Sequence, residues 1–177
     1  MTTLLLLASL LSPPLDLPWG EKLPKHFNSF KDYRYILGDI SWGKLVFSRK
    51  TEDFETELLL VLSNDYIAEA TLIIGPSGLS VDNCFSQYKT FLKTLTFKYG
   101  SNYIQKIIVD PLINDLFFVR RCHALKVGLE EYSTTWDLPD FKIELLMFGD
   151  EYIFIEITYT YKKQLKSTQK SKLLKSL

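Results

Sequence analysis

Two histidines and two cysteines carry most of the nucleophilic or metal-binding capacity of this chain: His26, His123, Cys84 and Cys122. A cysteine nucleophile needs an imidazole within hydrogen-bond reach to hold it as thiolate, and such pairs meet only through the fold. Cys122 and His123 adjoin, but neighbours in sequence point apart on a helix or strand and do not converge on one metal or substrate. No C-x-x-C or H-x-x-x-H spacing occurs. If the chain were a small enzyme, Cys122 and His123 would mark the place to look; the plainer reading is buried cysteines and surface histidines. The cysteines leave the compartment open, since they form either one disulfide in an oxidising space or two buried thiols, the commoner arrangement in a chain of this length.

Other constellations fall short of a site. Leu72-Ile73-Ile74-Gly75-Pro76-Ser77-Gly78 has the outline of a phosphate loop, an apolar strand entering a glycine-rich turn before a helix. Where that loop needs a lysine for the β- and γ-phosphates and a hydroxyl for Mg²⁺, the chain has Ser80, Val81 and Asp82. Glu52, Asp53, Glu55 and Glu57, and again Glu130 and Glu131, are paired acids, yet adjacency alone does not hold two carboxyls in one cleft with separated pKa values. No catalytic residue, cofactor or metal is assigned, and a non-enzymatic role is favoured over catalysis.

The elements that must carry any site are easier to read. The chain has 177 residues, 46% apolar and 14% aromatic, enough for one domain with a full core. Its formal charge is zero, which argues against a nucleic-acid binder that works by neutralising phosphates. The charge is uneven, however. From Lys162 onward there are six lysines and no acid, so residues 1–161 hold fifteen basic against twenty-one acidic residues.

Residues 1–16 form an apolar run, Leu4 to Leu11, closed by Ser12-Pro13-Pro14. It is too short for about 30 Å of hydrocarbon. The run suits an export signal with a cut near Ala8, Ser9 or Ser12, and the alternative is an apolar helix docked on the core. A periplasmic or secreted location follows from the first reading, a cytoplasmic one from the second. Residues 162–177 read as a basic tail, solvated or resting on an anionic membrane surface.

Between them, residues 17–161 are expected to form a single domain. Glu21 to Phe30, with Leu23, Phe27 and Phe30 on one side, reads as a short helix whose first turn tolerates Pro24. Tyr33 to Ile40 and Lys44 to Ser48 read as strands, and Arg49 to Asp53 as a loop. Glu55 to Ser63 and Tyr66 to Ile74 make a hairpin about Asn64-Asp65. Ser80 to Gly100 is an amphipathic helix with Ser80 or Asp82 as N-cap, a Phe85, Tyr88, Leu92, Leu95 and Tyr99 stripe, and Gly100 as its stop. Ile104 to Val109 fits a strand or a helical turn, and Leu112 to Val127 a short helix. Glu130 to Trp136, Phe141 to Phe148 and Tyr152 to Tyr161 form a meander whose last strand alternates Ile153, Ile155, Ile157 and Tyr159 against Glu156, Thr158 and Thr160. The class is α+β: an antiparallel sheet of about six or seven strands with two or three helices packed on one face.

Trp19-Gly20, the hairpins, Phe85-x-x-Tyr88 through Phe97-Lys98-Tyr99-Gly100, Trp136, Ile143-x-Leu145 and Ile157-x-Tyr159 together resemble small exported bacterial proteins of the β-lactamase-inhibitor-like fold group. The resemblance covers most of residues 17–161 and rests on structural residues. It implies a binding or envelope-associated role without catalysis.

Aromatic residues on the strands are the remaining surface signal. Trp42, Tyr132, Trp136, Tyr152 and Phe154, exposed together on a sheet face, would offer large contact area at small entropic cost. The sequence therefore reads as an exported, non-enzymatic protein that binds a macromolecular partner, most simply another protein, through that face. The alternatives are a small enzyme at Cys122 and His123, or an intracellular immunity or adaptor protein.

Overall fold

The computed structural model of the protein describes residues 17–24, 27, 29–30, 32–50, 55–75, 84–110 and 121–163. Among these residues nine strands form one antiparallel sheet: β1 (Ser29–Phe30), β2 (Tyr33–Asp39), β3 (Lys44–Lys50), β4 (Glu55–Ser63), β5 (Tyr66–Ile74), β6 (Ile104–Val109), β7 (Glu130–Asp137), β8 (Phe141–Asp150) and β9 (Tyr152–Tyr161). Their spatial order is β1-β2-β3-β4-β5-β9-β8-β7-β6. Two meanders therefore meet in the middle, where β5 pairs with the last strand instead of the next one. Two helices are described, α1 (Cys84–Tyr99) and α2 (Arg121–Lys126), with a 3-10 turn at Ile40–Trp42.

The α+β class holds, but the sheet is wider than six or seven strands, and among the described residues the helices cover only part of its face. Both helices lie against the β7–β9 half. Phe85 of α1 meets Tyr132 of β7 edge-on at 5.0 Å, and Tyr88 shares a 2.8 Å hydrogen bond with Thr134. Over the other half, Phe27 packs edge-on against Phe47 of β3 at 6.0 Å.

The Glu21–Phe30 helix is not formed. Lys22 bridges to Tyr66, the amide of Leu23 donates to the carbonyl of Asp65 at 2.9 Å, and Ser29–Phe30 pairs with β2. Apolar residues three and four apart mimic a helical stripe, but the amide of Glu21 donates to the Pro18 carbonyl at 3.2 Å and Gly20 takes φ 79°, so the chain turns before Leu23, and Leu23 and Phe27 still reach the core.

The β4–β5 hairpin turns where expected. Asn64 and Asp65 both take positive φ, 54° and 68°, the pair of left-handed residues that a type I′ turn requires. Helix α1 buries Cys84, Tyr88, Phe91 and Leu95, spaced one turn or two apart, and ends at Gly100 with φ 88°. Its proposed caps, Ser80 and Asp82, lie outside the described residues, as do residues 1–16, His26, residues 111–120 and 164–177. Within 101–127, Ile104–Val109 proves to be a strand and Arg121–Lys126 a helix.

One face of the sheet is a continuous core. The register places Leu45, Leu60, Ala70, Tyr159, Ile143 and Trp136 in one row across β3, β4, β5, β9, β8 and β7, every one of them buried. Gly149 lets α2 approach β8. A Cβ there would stand 1.9 Å from the Leu125 carbonyl oxygen, so any larger residue must push two backbones apart.

Cys84, the first residue of α1, and Cys122 of α2 are joined by a disulfide with a Cα separation of 6.2 Å. This corrects the expectation of two free thiols. Spacing could not reveal it, because the bond closes across 38 residues of chain.

Candidate binding surface

The pleat that sends Trp136 inward sends its neighbours to the opposite face, where neither helix lies among the described residues. One row there runs Ile104, Thr135, Glu144, Thr158, Thr71 and Leu59; the next runs Lys106, Ser133, Leu146, Glu156, Ile73 and Glu57. This face mixes hydroxyls, carboxylates and aliphatic groups, and most of its side chains are half-buried.

Its polar groups are tied to one another. Thr71 and Thr158 share a hydrogen bond at 3.1 Å, and Thr160 donates to Glu69 at 3.4 Å. Glu144 accepts from Ser133 at 3.2 Å on one oxygen and from the Lys142 ammonium at 3.1 Å on the other. Glu144 thus ties the Ser133 hydroxyl and the Lys142 ammonium together on this face. Beside these residues a shallow groove of about 350 Å³ runs between β6 and β8, lined by Ile104, Lys106, Ile108, Glu131, Ser133, Thr135, Lys142 and Glu144. Alternating charge with an aliphatic rim suits an extended chain more than a small molecule.

Glu156 stands in the middle of the face with Ile73 and Leu146 as its register neighbours. Burial raises its carboxyl above the ordinary 4.5. A glutamate whose folded pKa exceeds its unfolded value binds more protons when folded, so its ionisation lowers stability as pH rises through that window. Glu156→Gln is therefore expected to melt above the wild type at neutral pH, the difference closing as pH falls below 4.5. Thermal melts across that range check it; a variant that melts lower than wild type at neutral pH would show that the carboxylate is stabilising.

The five aromatic residues do not form one patch. Tyr132 and Trp136 face the core, 5% and 0% exposed, because α1 covers that side of β7. Trp42 is 76% exposed but sits in the turn joining β2 to β3, next to the Lys44–Val61 pair near the end of β4. Tyr152 lies at the other end of the sheet, where β4 begins, and is 55% exposed. Phe154 is on the same side of β9 as Tyr152 and stacks on Phe148 of β8, centroids 5.6 Å apart and planes 22° from parallel. The structure thus brings together Tyr152, Phe154 and Phe148. Phe148 was not singled out from the sequence, because the hairpin turns about Glu151, whose φ is 63°, and a turn counted from Gly149-Asp150 would have set Phe148 across from Glu151 instead of Phe154.

The alternative centred on Cys122 and His123 loses its nucleophile. Cys122 is held in the disulfide and has no thiolate to offer, while the His123 side chain is exposed on α2. Among the described residues no three His, Cys, Asp or Glu side chains gather as metal ligands would.

No family model, curated protein or solved structure matches this chain. Among the described residues no helix is long and apolar enough to cross a membrane. The first two lysines of the basic tail are bound to the body. Lys162 pairs with Asp137 and donates to the Leu138 carbonyl, and Lys163 pairs with Asp140 at 3.0 Å.

Proposed function

We propose that this is an exported, non-catalytic protein that binds a macromolecular partner, a protein in the periplasm or outside the cell, through the face of the sheet opposite α1 and α2. The observation that carries the reading is the β8–β9 end of that face, where exposed Tyr152 stands beside the Phe148–Phe154 stack. Aromatic rings lose little rotamer entropy on contact and commonly dominate interface energies. The Cys84–Cys122 bond supports an oxidising compartment over the intracellular adaptor reading, since structural disulfides persist outside the reducing cytosol. The likeness to exported proteins of the β-lactamase-inhibitor-like group points the same way.

Two measurements test the proposal. Cross-linked recovery of partners from an envelope fraction is expected to fall about tenfold for Tyr152→Ala and Phe154→Ala, and to stay unchanged for Trp42→Ala at the far end of the sheet. Near-UV circular dichroism guards against misfolding of the half-buried Phe154 variant. Equal recovery for all three variants would remove this surface from the account. Export is tested by fractionating cells that make the full chain or one lacking residues 1–12, and cytosolic retention of both would count against it.

A further inference from the structure

The two edges of the sheet are finished differently. Beyond β2 the short β1 adds a two-residue pairing, whereas β6 pairs with β7 on one side and, among the described residues, with nothing on the other. All six residues of β6 are exposed, including Ile104 at 65%, Ile107 at 53% and Ile108 at 58%. An edge strand presents a row of unpaired amides and carbonyls, and chains usually blunt it with bulges, prolines or inward charges. β6 runs six residues in unbroken register and carries a single charge, Lys106.

We infer that β6 pairs antiparallel with β6 of a second copy of this chain, joining two sheets across a two-fold axis. Because that axis keeps each face of the sheet on its own side, the facing residues must share a face, and the axis must pass through a residue position. An axis at Lys106 would oppose two ammonium groups. An axis at Ile108 would set Pro111, which has no amide hydrogen, across from Gln105 and shorten the ladder. An axis at Ile107 avoids both: residues 104–110 pair, Ile107 faces itself, and Lys106 lies across from Ile108 of the second copy.

Charge favours the same register. Ile108 is the register partner of Glu131 within one copy, so Lys106 arriving opposite Ile108 comes within side-chain reach of Glu131 of the second copy. The two-fold repeats the contact. An extended peptide of another protein would have to supply this complementarity by chance, whereas a second copy supplies it twice. The pairing also sets two of the β6–β8 grooves side by side. It is independent of which partner the Tyr152 surface takes.

The test uses the full chain with its native disulfide formed. Size-exclusion chromatography with light scattering is expected to show a dimer, and Ile107→Lys to raise the dissociation constant about thirtyfold or more while leaving the far-UV spectrum unchanged. Under mild oxidation Ile107→Cys should form a covalent dimer, since it meets its own copy; Val109→Cys should not, its two copies lying about 13 Å apart along the ladder. Lys106→Glu should weaken the dimer, and the double variant Lys106→Glu with Glu131→Lys should restore it. A wild-type chain that stays monomeric at every concentration, assembles without limit, or cross-links equally through both cysteine variants overturns the inference.

Discussion

Replacing Cys84 and Cys122 together by alanine is expected to lower the stability of the folded chain by about 4 kcal/mol, the loop-closure entropy that a bridge across 38 residues removes from the unfolded ensemble. For a chain of this size that corresponds to a fall in melting temperature of roughly 8–16 °C. The position of the bond argues for a full effect. Cys84 is 0% and Cys122 8% exposed, and the bond ties the first residue of α1 to α2, both of which lie over the same half of the sheet. Alanine in both places avoids burying unsatisfied hydroxyls, so the loss reports the cross-link and the small volume of two sulfurs. Melts with and without reductant provide the check. The wild type should drop toward the double variant once reduced, while the double variant should ignore the reductant. If the double variant melts with the oxidised wild type, the bond contributes no stability and its use as a pointer to an oxidising compartment weakens with it.

What could be read from the residues depended on how many partners each segment has. The β4–β5 hairpin was plain because Asn64-Asp65 separates two long apolar runs, and β9 was plain because Ile153, Ile155, Ile157 and Tyr159 alternate with polar neighbours. Strand β6 was ambiguous for a physical reason. Ile-Gln-Lys-Ile-Ile-Val has no period of two because neither of its faces is buried. The segment from Glu21 to Phe30 misled because Leu23 and Phe27 dock on a sheet at a spacing that also fits a helix turn.

Strand β7 misled about the site itself. Its inward face carries Glu130, Tyr132, Thr134 and Trp136, so polarity alone does not mark it as core. The polar members are satisfied locally. Tyr132 donates to Glu130 at 2.9 Å, and Thr134 bonds to Tyr88 across the helix–sheet boundary. Those partners are remote in sequence or two residues away on the same strand, and neither relation shows as a periodicity.

The inward turn of Trp136 leads to the other large expected effect. Trp136→Ala removes an indole that is 0% exposed, packed against Tyr103 at 5.3 Å and donating from Nε1 to the Gly100 carbonyl at 2.9 Å. Deletion of a buried Trp side chain typically costs about 3–5 kcal/mol, cavity included. Trp136→Phe keeps most of the packing but loses the bond to the Gly100 oxygen, which lies on an exposed residue at the end of α1 and can turn to water, and about 0.5–1.5 kcal/mol is expected. Urea unfolding of the two variants separates volume from hydrogen bond, and a loss under about 1 kcal/mol for Trp136→Ala would mean that the site collapses onto the deletion. The same pair divides stability from recognition. If the binding surface lies on the opposite face, Trp136→Phe should recover partners as the wild type does despite its lower stability, whereas Tyr152→Ala should lose them while unfolding at the wild-type urea midpoint.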